Sequence, residues 1–236
     1  MLEIRDVYKD YGGGGGLVRA LNGVSLDLRM GELLMLMGPS GSGKTSLLSV
    51  AGCILRPTSG SVKIAGREVT GFAERRLPAI RLQHFGFVFQ GFNLVAALTA
   101  QENVELVLQL KGYSMRRARS TAGTLLESLG MSSRSRHLPA DLSGGEKQRI
   151  AIARALAGDP PILLADEPTA ALDSQASSVL LETLSGLARS GRRAVMVVTH
   201  DPRALVYATR VLQMRDGRIE DRPLEDRPST NKESVA

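Results

Sequence analysis

Residues 38–45 read Gly-Pro-Ser-Gly-Ser-Gly-Lys-Thr, and this octet constrains the fold more than any other stretch of the chain. It satisfies G-x-x-x-x-G-K-[ST] at Gly38, Gly43, Lys44 and Thr45. Glycines let the backbone curl so that successive N–H groups point inward and form a nest for phosphate oxygens. A helix following such a loop directs its positive N-terminal end at the same anion. Both flanks fit. Leu33 to Met37 is a short apolar run suited to a buried strand, and Leu47, Leu48, Ala51 and Leu55 recur afterwards at helical spacing. From average glycine usage, a chance match in a chain this long is roughly a one-per-cent event. The expected nucleotide-binding residues are Gly38, Pro39, Ser40, Gly41, Ser42, Gly43, Lys44, Thr45 and Ser46. Lys44 would reach the β- and γ-phosphates, and the Thr45 hydroxyl would bind Mg²⁺.

With 236 residues the chain is long enough for one large domain with a subdomain and a sizeable core. Hydrophobic residues at 43% and charged residues at 23% are ordinary for a globular protein. No apolar run approaches the length that spans a bilayer, and the polar start MLEIRDVYKD does not read as a signal peptide. A cytoplasmic protein is expected. The single cysteine, Cys53, cannot form an intramolecular disulfide; it is expected in the helix after the phosphate loop, as a small core residue without an activated thiol. A net charge of +6 suits a nucleic-acid or anionic-membrane partner. Yet the basic residues cluster at 116–119, 134–136 and 192–193 with no aromatic residues between them and no Trp for base stacking. A solvated face is the better reading, membrane-surface attraction comes next, and no nucleic-acid partner is expected.

Leu2 to Tyr8 alternates apolar and polar like a half-buried strand, and Ala20 to Leu28 alternates again. The run Gly12–Gly16 between them reads as a flexible hairpin tip or an insertion. With Ser61 to Gly66, these segments predict an antiparallel β element beside the nucleotide core. Phe85 to Gln90 reads as a strand ending in a polar residue, followed by a helical region from about Thr99 to Ala157. Ile162 to Ala165 and Ala194 to Val198 read as buried strands joined by a crossover helix over Ser174 to Ala188, so the core is expected to be a parallel α/β sheet. The tail from Glu220 carries prolines and charges and is expected to be disordered.

Two constellations complete the chemistry. Asp166 and Glu167 follow the apolar run Ile162 to Ala165, and strand ends beside a phosphate loop are where open α/β sheets place ligand chemistry. Asp166 would hold Mg²⁺ directly or through water, and Glu167 would orient or deprotonate the attacking water; taken alone, the pair could equally cap a helix. In Leu142-Ser143-Gly144-Gly145-Glu146-Lys147-Gln148-Arg149, Ser143 can cap a helix beginning near Gly145, and Gly144-Gly145 admit a phosphate close to backbone N–H groups. Nothing requires this second anion site to serve the same nucleotide in the same subunit.

On these residues the chain resembles an ATP-binding-cassette (ABC) ATPase subunit over about residues 1–220. The phosphate loop is Gly38–Thr45, the signature Leu142–Gln148 and the metal-and-base strand Ile162–Pro168. The resemblance implies a P-loop NTPase core with a parallel sheet, a flanking antiparallel β subdomain and an inserted helical subdomain at about 91–160. It further implies ATP and Mg²⁺ as ligands. Glu167, His200, Gln90 and Lys44 are the implied catalytic residues, and Thr45, Gln90 and Asp166 the metal ligands. Tyr11 would stack on adenine, and Ser143, Gly144, Gly145 and Asp173 would meet nucleotide at a head-to-tail homodimer interface. The mechanical partner would be a separate integral-membrane permease, docked near Gln90 on Phe92, Leu94, Val95 and Leu98, with the ATPase peripheral on the inner face of the cell membrane. Val88 to Leu94, Leu98 to Val104 and Ala165 to Thr169 resemble the subfamily of lipoprotein release, macrolide or peptide export, and cyanobacterial glycolipid exporters. Export or extraction of a lipophilic substrate is thereby implied. An importer subunit, or a non-transport ATPase acting on nucleic acid, is the alternative. Two departures, Val95-Ala96-Ala97 without a proline and Ala170 where glycine is frequent, leave the chemistry untouched but bear on the subgroup.

Overall fold

The computed structural model describes residues 1–12 and 16–220. Two sheets and a helical layer are built around the strand that precedes the phosphate loop. β1 (Leu2–Tyr11) and β2 (Val18–Leu28) form an antiparallel pair with Tyr11 opposite Val18, so the glycine run does join a hairpin. With β4 (Ser59–Ile64) and β5 (Arg67–Glu68), they make a four-stranded sheet in the order β2-β1-β4-β5.

The second sheet has six strands. β3 (Leu33–Met37) lies between β8 (Ala194–Val198) and β9 (Arg210–Arg215), with β7 (Ile162–Asp166) and β6 (Phe85–Val88) beyond β8. These five run parallel; β10 (Arg218–Glu220) closes the far edge antiparallel to β9. All five residues of β3 are buried, and they alternate between two cores. Leu34 and Leu36 face β1, β2 and helix α1 (Lys44–Ala51), whereas Leu33, Met35 and Met37 face helix α6 (Ser174–Arg189) on the other side. A strand covered on both faces has no need of polar alternation, which is why it reads as a continuous apolar run. Each of these side chains contributes roughly 1.5–3 kcal/mol by leaving water.

A third core lies among α3 (Ala100–Leu110), α4 (Met115–Ser128) and α5 (Gly144–Leu156), around Val104, Leu108, Leu126 and Ile150. Thr99 caps α3 in a reciprocal box with Glu102, and Ser114 caps α4. Among the described residues no helix is long and apolar enough to cross a membrane.

Several expectations shift. Helix α1 stops at Ala51, so Cys53 and Leu55 lie beyond it. Gly52 ends the helix where the Phe87 ring packs, and a β-carbon there would stand 2.5 Å from that ring. Cys53 is buried in the following turn with φ +56°, and burial pushes its thiol up to about 11, in keeping with an inert core residue. β6 ends at Val88, two residues before Gln90. Helix α2 (Leu77–His84) and strands β5, β9 and β10 have no counterpart in the sequence reading. The tail, 221–236, lies outside the described residues.

β6 touches α5 across Gly86, whose added β-carbon would overlap the Ala155 carbonyl and stand 2.7 Å from Leu163 Cδ2. Gly86→Ala is therefore expected to destabilise the fold by about 1–3 kcal/mol. Thermal or urea unfolding checks this, and an unchanged midpoint would mean that strand and helix are not in that contact.

Candidate functional site

The parallel strands end in one row. Val88 pairs with Ala165, Asp166 with Val198, and Leu36 with Val198. Residues just past these ends, 38–45, 90, 166–167 and 199–200, are thereby brought to a common edge although the chain separates them widely. Here the phosphate loop is held by close backbone approach. A β-carbon on Gly38 (φ +151°) would overlap the Met214 carbonyl, and one on Gly43 (φ +103°) the Ala20 carbonyl. Only glycine fits either place. Lys44 is buried along the loop, its Nζ donating to the carbonyls of Gly38 at 2.8 Å and Pro39 at 2.9 Å. Pro39, Ser40 and Gly41 are exposed at the tip, and Ser42 is buried.

Thr45 Oγ1 donates to Asp166 Oδ1 at 3.2 Å, joining the first turn of α1 to the end of β7. Asp166 is thus a strand-end residue and caps no helix. Burial pushes its carboxyl above the ordinary value, the Thr45 hydrogen bond opposes the rise, and neighbouring Glu167 adds to it. Glu167 adopts φ +43°, a backbone conformation that L side chains rarely take, and its N–H donates to the Val198 carbonyl at 2.9 Å. Its Oε1 lies 2.9 Å from His200 Nδ1; the Glu167 side chain is 14% exposed and the His200 side chain 66%. Buried Thr199 donates from its backbone to Leu36, seating the histidine beside the strand that feeds the loop. Tyr11 is exposed, and its hydroxyl lies 3.2 Å from Ser46 Oγ, at the first turn of α1. Gln90 is exposed just beyond β6.

The remaining predicted residues stand apart from the loop. Ser143 caps α5, one residue ahead of the expected start, by accepting from Glu146 N at 3.2 Å while Glu146 Oε2 accepts from Ser143 N at 2.8 Å. A β-carbon on Gly144 or Gly145 would meet Ala171, Ala176 or Arg149, none of them in the phosphate loop. The signature therefore faces the segment before α6 in its own chain. Asp173 caps α6 by accepting from Ala176 N at 2.8 Å.

Glu146 was not singled out in the sequence, though Ser143-x-x-Glu146 is a capping-box pattern that marks it. Arg134 was read only as part of a solvated basic cluster; its Nε donates to Glu146 Oε1 at 2.8 Å, and no local pattern announces a partner twelve residues away. Of the apolar residues expected near Gln90, Val95 is exposed and Phe92 and Leu98 are half-buried. Leu94 packs toward the helical core, and an open groove of about 500 Å³ also lies between α2 and α3, lined by Phe87, Phe89, Leu106, Leu110 and Arg154.

The family model described as ABC transporter matches residues 21–170. The chain belongs to this family. The matched span includes the phosphate loop, the signature and Asp166–Glu167, and leaves out Tyr11, Asp173 and His200. An uncharacterized ABC transporter ATP-binding protein of Thermotoga maritima is 46% identical over 220 residues, 93% of this chain and 94% of that protein. The macrolide export ATP-binding/permease protein MacB of Hyphomonas neptunium is 45% identical over 219 residues. There the chain spans 93% of itself and 34% of the relative, about a third of the length of the macrolide-export relatives it matches. Among solved structures, a dimeric ATP-binding cassette in a post-hydrolysis state with ADP and Pi superposes with a TM-score of 0.89 at 40% identity, over 95% of this chain and 99% of that one. This ABC chain accordingly has the α/β cassette fold, with the added sheet and helical layer described above.

The capping box carries a pH signature. Hydrogen bonds from the Ser143 backbone and from Arg134 lower the Glu146 carboxyl from 4.5 to about 2. A depressed carboxylate stabilises the fold above its unfolded value, and that contribution is lost as pH falls from about 4.5 toward 2. Glu146→Gln should therefore cost stability at neutral pH, with the gap to the native protein closing across that window. Urea unfolding of both proteins as a function of pH measures it; a pH-independent gap would contradict the assignment.

Proposed function

We propose that this chain is the ATP-binding and ATP-hydrolysing subunit of an ABC transporter, acting as a head-to-tail pair on a separate membrane permease. The observation that carries this reading is the convergence, on one sheet edge, of the phosphate loop, the Thr45–Asp166 contact and the Glu167–His200 pair. In this reading the loop amides and Lys44 hold the phosphates of ATP, and Tyr11, beside Ser46, lies against the adenine. Glu167 has one carboxylate oxygen engaged by His200, which leaves the other to accept a proton from the attacking water. His200 is exposed on the open side of Glu167, where it can reach a terminal phosphate.

The residues fit a Mg²⁺ ion. Thr45 and Asp166 present hard oxygen donors 3.2 Å apart, and this ion uses few protein ligands beside phosphate and water. Thr45, Asp166 and Gln90 would hold it, and bound there it would neutralise charge on the phosphate oxygens.

The capped end at Ser143, Gly144 and Gly145 meets the segment before α6 and not the phosphate loop of its own chain, and in this reading it serves the nucleotide of a second copy. Asp173 would lie at the same interface. The dimeric state of the structural relatives supports this arrangement. For the permease, the groove between α2 and α3 presents Phe89, Leu106 and Leu110 to a docking helix, next to the segment that carries Gln90. Docking there would place the subunit peripherally on the inner membrane face. Likeness to macrolide-export proteins favours export of a lipophilic substrate.

Glu167→Gln should keep ATP binding but stop water activation, and so accumulate a dimer with ATP and Mg²⁺. Size-exclusion chromatography reads this out, and a monomer at saturating ATP would count against the paired mechanism. Lys44→Ala should weaken ATP binding by about a hundredfold, since a charge-assisted hydrogen bond contributes roughly 1.5–3 kcal/mol. Fluorescent-nucleotide titration is the check, and unchanged affinity would remove Lys44 from the site.

A further inference from the structure

Arg154 lies on α5, about three turns along the helix from Ser143. Its guanidinium reaches across to the segment after β6, where Nη2 donates to the Phe92 carbonyl at 2.7 Å and Nη1 donates to the Asn93 carbonyl. Phe92 and Asn93 both have left-handed backbones, with φ +61° and +49°. Asparagine tolerates that region, but phenylalanine is strained in it and persists only where the surroundings over-determine the conformation. No carboxylate pairs with Arg154 among the described residues, so these two carbonyls are its hydrogen-bond partners. A guanidinium that burial penalises is thus tied to one piece of neutral backbone.

The far half of the same segment is held by another helix. Asn103, fully buried on α3, accepts from Val95 N at 2.7 Å and donates to the carbonyls of Leu98 at 2.9 Å and Thr99 at 3.0 Å. The segment from Gln90 to Thr99 is therefore fastened at two points, near its start to the signature helix and near its end to α3. Gln90 precedes the first fastening by two residues and is itself exposed. Arg154, Asn93 and Phe89 also share a wall of the groove between α2 and α3.

We infer that Arg154 is a positioning residue: its paired bonds to Phe92 and Asn93 set where Gln90 stands relative to the signature helix. A displacement of α5 is then passed to Gln90 through two main-chain carbonyls, and contact in the groove acts on the same joint. This inference rests on the reading of Gln90 as a metal ligand in an ATPase. A merely structural tie would lower stability and leave the metal dependence of turnover alone.

The test compares Arg154→Met, Arg154→Lys, Gln90→Ala and the double variant Arg154→Met/Gln90→Ala in the full chain. ATP affinity is measured by fluorescent-nucleotide titration, and phosphate release is followed as a function of Mg²⁺. Arg154→Met should lower kcat by about tenfold and raise the half-saturating Mg²⁺ several-fold, with ATP affinity held within about twofold. Arg154→Lys, which keeps the charge and can reach one carbonyl, should recover part of the loss. The double variant should be no worse than Gln90→Ala alone. A folded Arg154→Met with an unchanged Mg²⁺ requirement, or losses that multiply in the double variant, would overturn the inference. If Gln90→Ala itself leaves the Mg²⁺ requirement unchanged, the metal role of Gln90 falls, and hydrogen exchange decides the positioning role separately. Faster exchange of the amides at 91–94 in Arg154→Met, with the phosphate loop unaffected, sustains it, and unchanged protection overturns it. Should Arg154→Met not fold, Arg154→Lys carries every one of these measurements.

Discussion

The burial of β3 on both faces is the constraint on which the rest of the structure depends. Its five apolar residues divide between two cores, so the strand is fixed in direction and height relative to every neighbour in the six-stranded sheet. A phosphate loop launched from such a strand inherits that rigidity. The loop is then seated against two carbonyls that do not belong to it, Met214 on β9 and Ala20 on β2, in places where only glycine fits. One loop thus ties the parallel sheet to the antiparallel one. Its conformation is set by packing against backbone outside the loop.

The acidic and histidine residues acquire their relation to the loop through register. Pairing of Asp166 with Val198, and of Leu36 with the same residue, brings Thr45, Asp166, Glu167 and His200 to one edge from three separate strand ends. The strained backbone at Glu167, held by the Val198 carbonyl, turns its side chain toward His200. Strain of this kind persists because the sheet around it is buried and closely packed.

Helix α5 connects the helical layer to the rest. Its capped start lies against Ala171, its middle fills the helical core, and its last turns touch Gly86 of β6 and the carbonyls of Phe92 and Asn93. The signature and Arg154, which holds the segment after Gln90, thus lie at the two ends of one helix. Packed helices transmit displacement because close-packed interiors do not absorb it.

How much of this was legible in the chain follows from the range of the interactions involved. The phosphate loop, the strand before it, the crossover helix and the capped signature helix were readable, because each depends on residues within a few positions of one another. Gly-rich curls, apolar runs and Ser caps are local physics. The alternation of Leu2–Tyr8 and Ala20–Leu28 likewise revealed strands with one wet face. Helix α2 was missed because its short apolar pattern, Leu77 and Ile80, is no longer than one helical turn. Strand β9 was missed because arginine and glutamine interrupt it; its burial comes from β3 and the helices that cover it. The end of α1 at Ala51 was misjudged because Cys53, a residue type that does not announce a helix end, takes the left-handed conformation there and lets the Ile54 N–H turn back to the Ser49 carbonyl. By itself, then, the sequence marked the candidates for phosphate, acid and histidine chemistry, and determined that the core is a parallel α/β sheet. Tertiary structure alone decided which of them meet: Thr45 with Asp166, Glu167 with His200, Arg154 with the Gln90 segment, and the signature with none of the phosphate loop of its own chain. The physical reason is that local propensity acts over single turns, whereas the register of buried strands and the packing of helices are settled only when distant segments exclude water together.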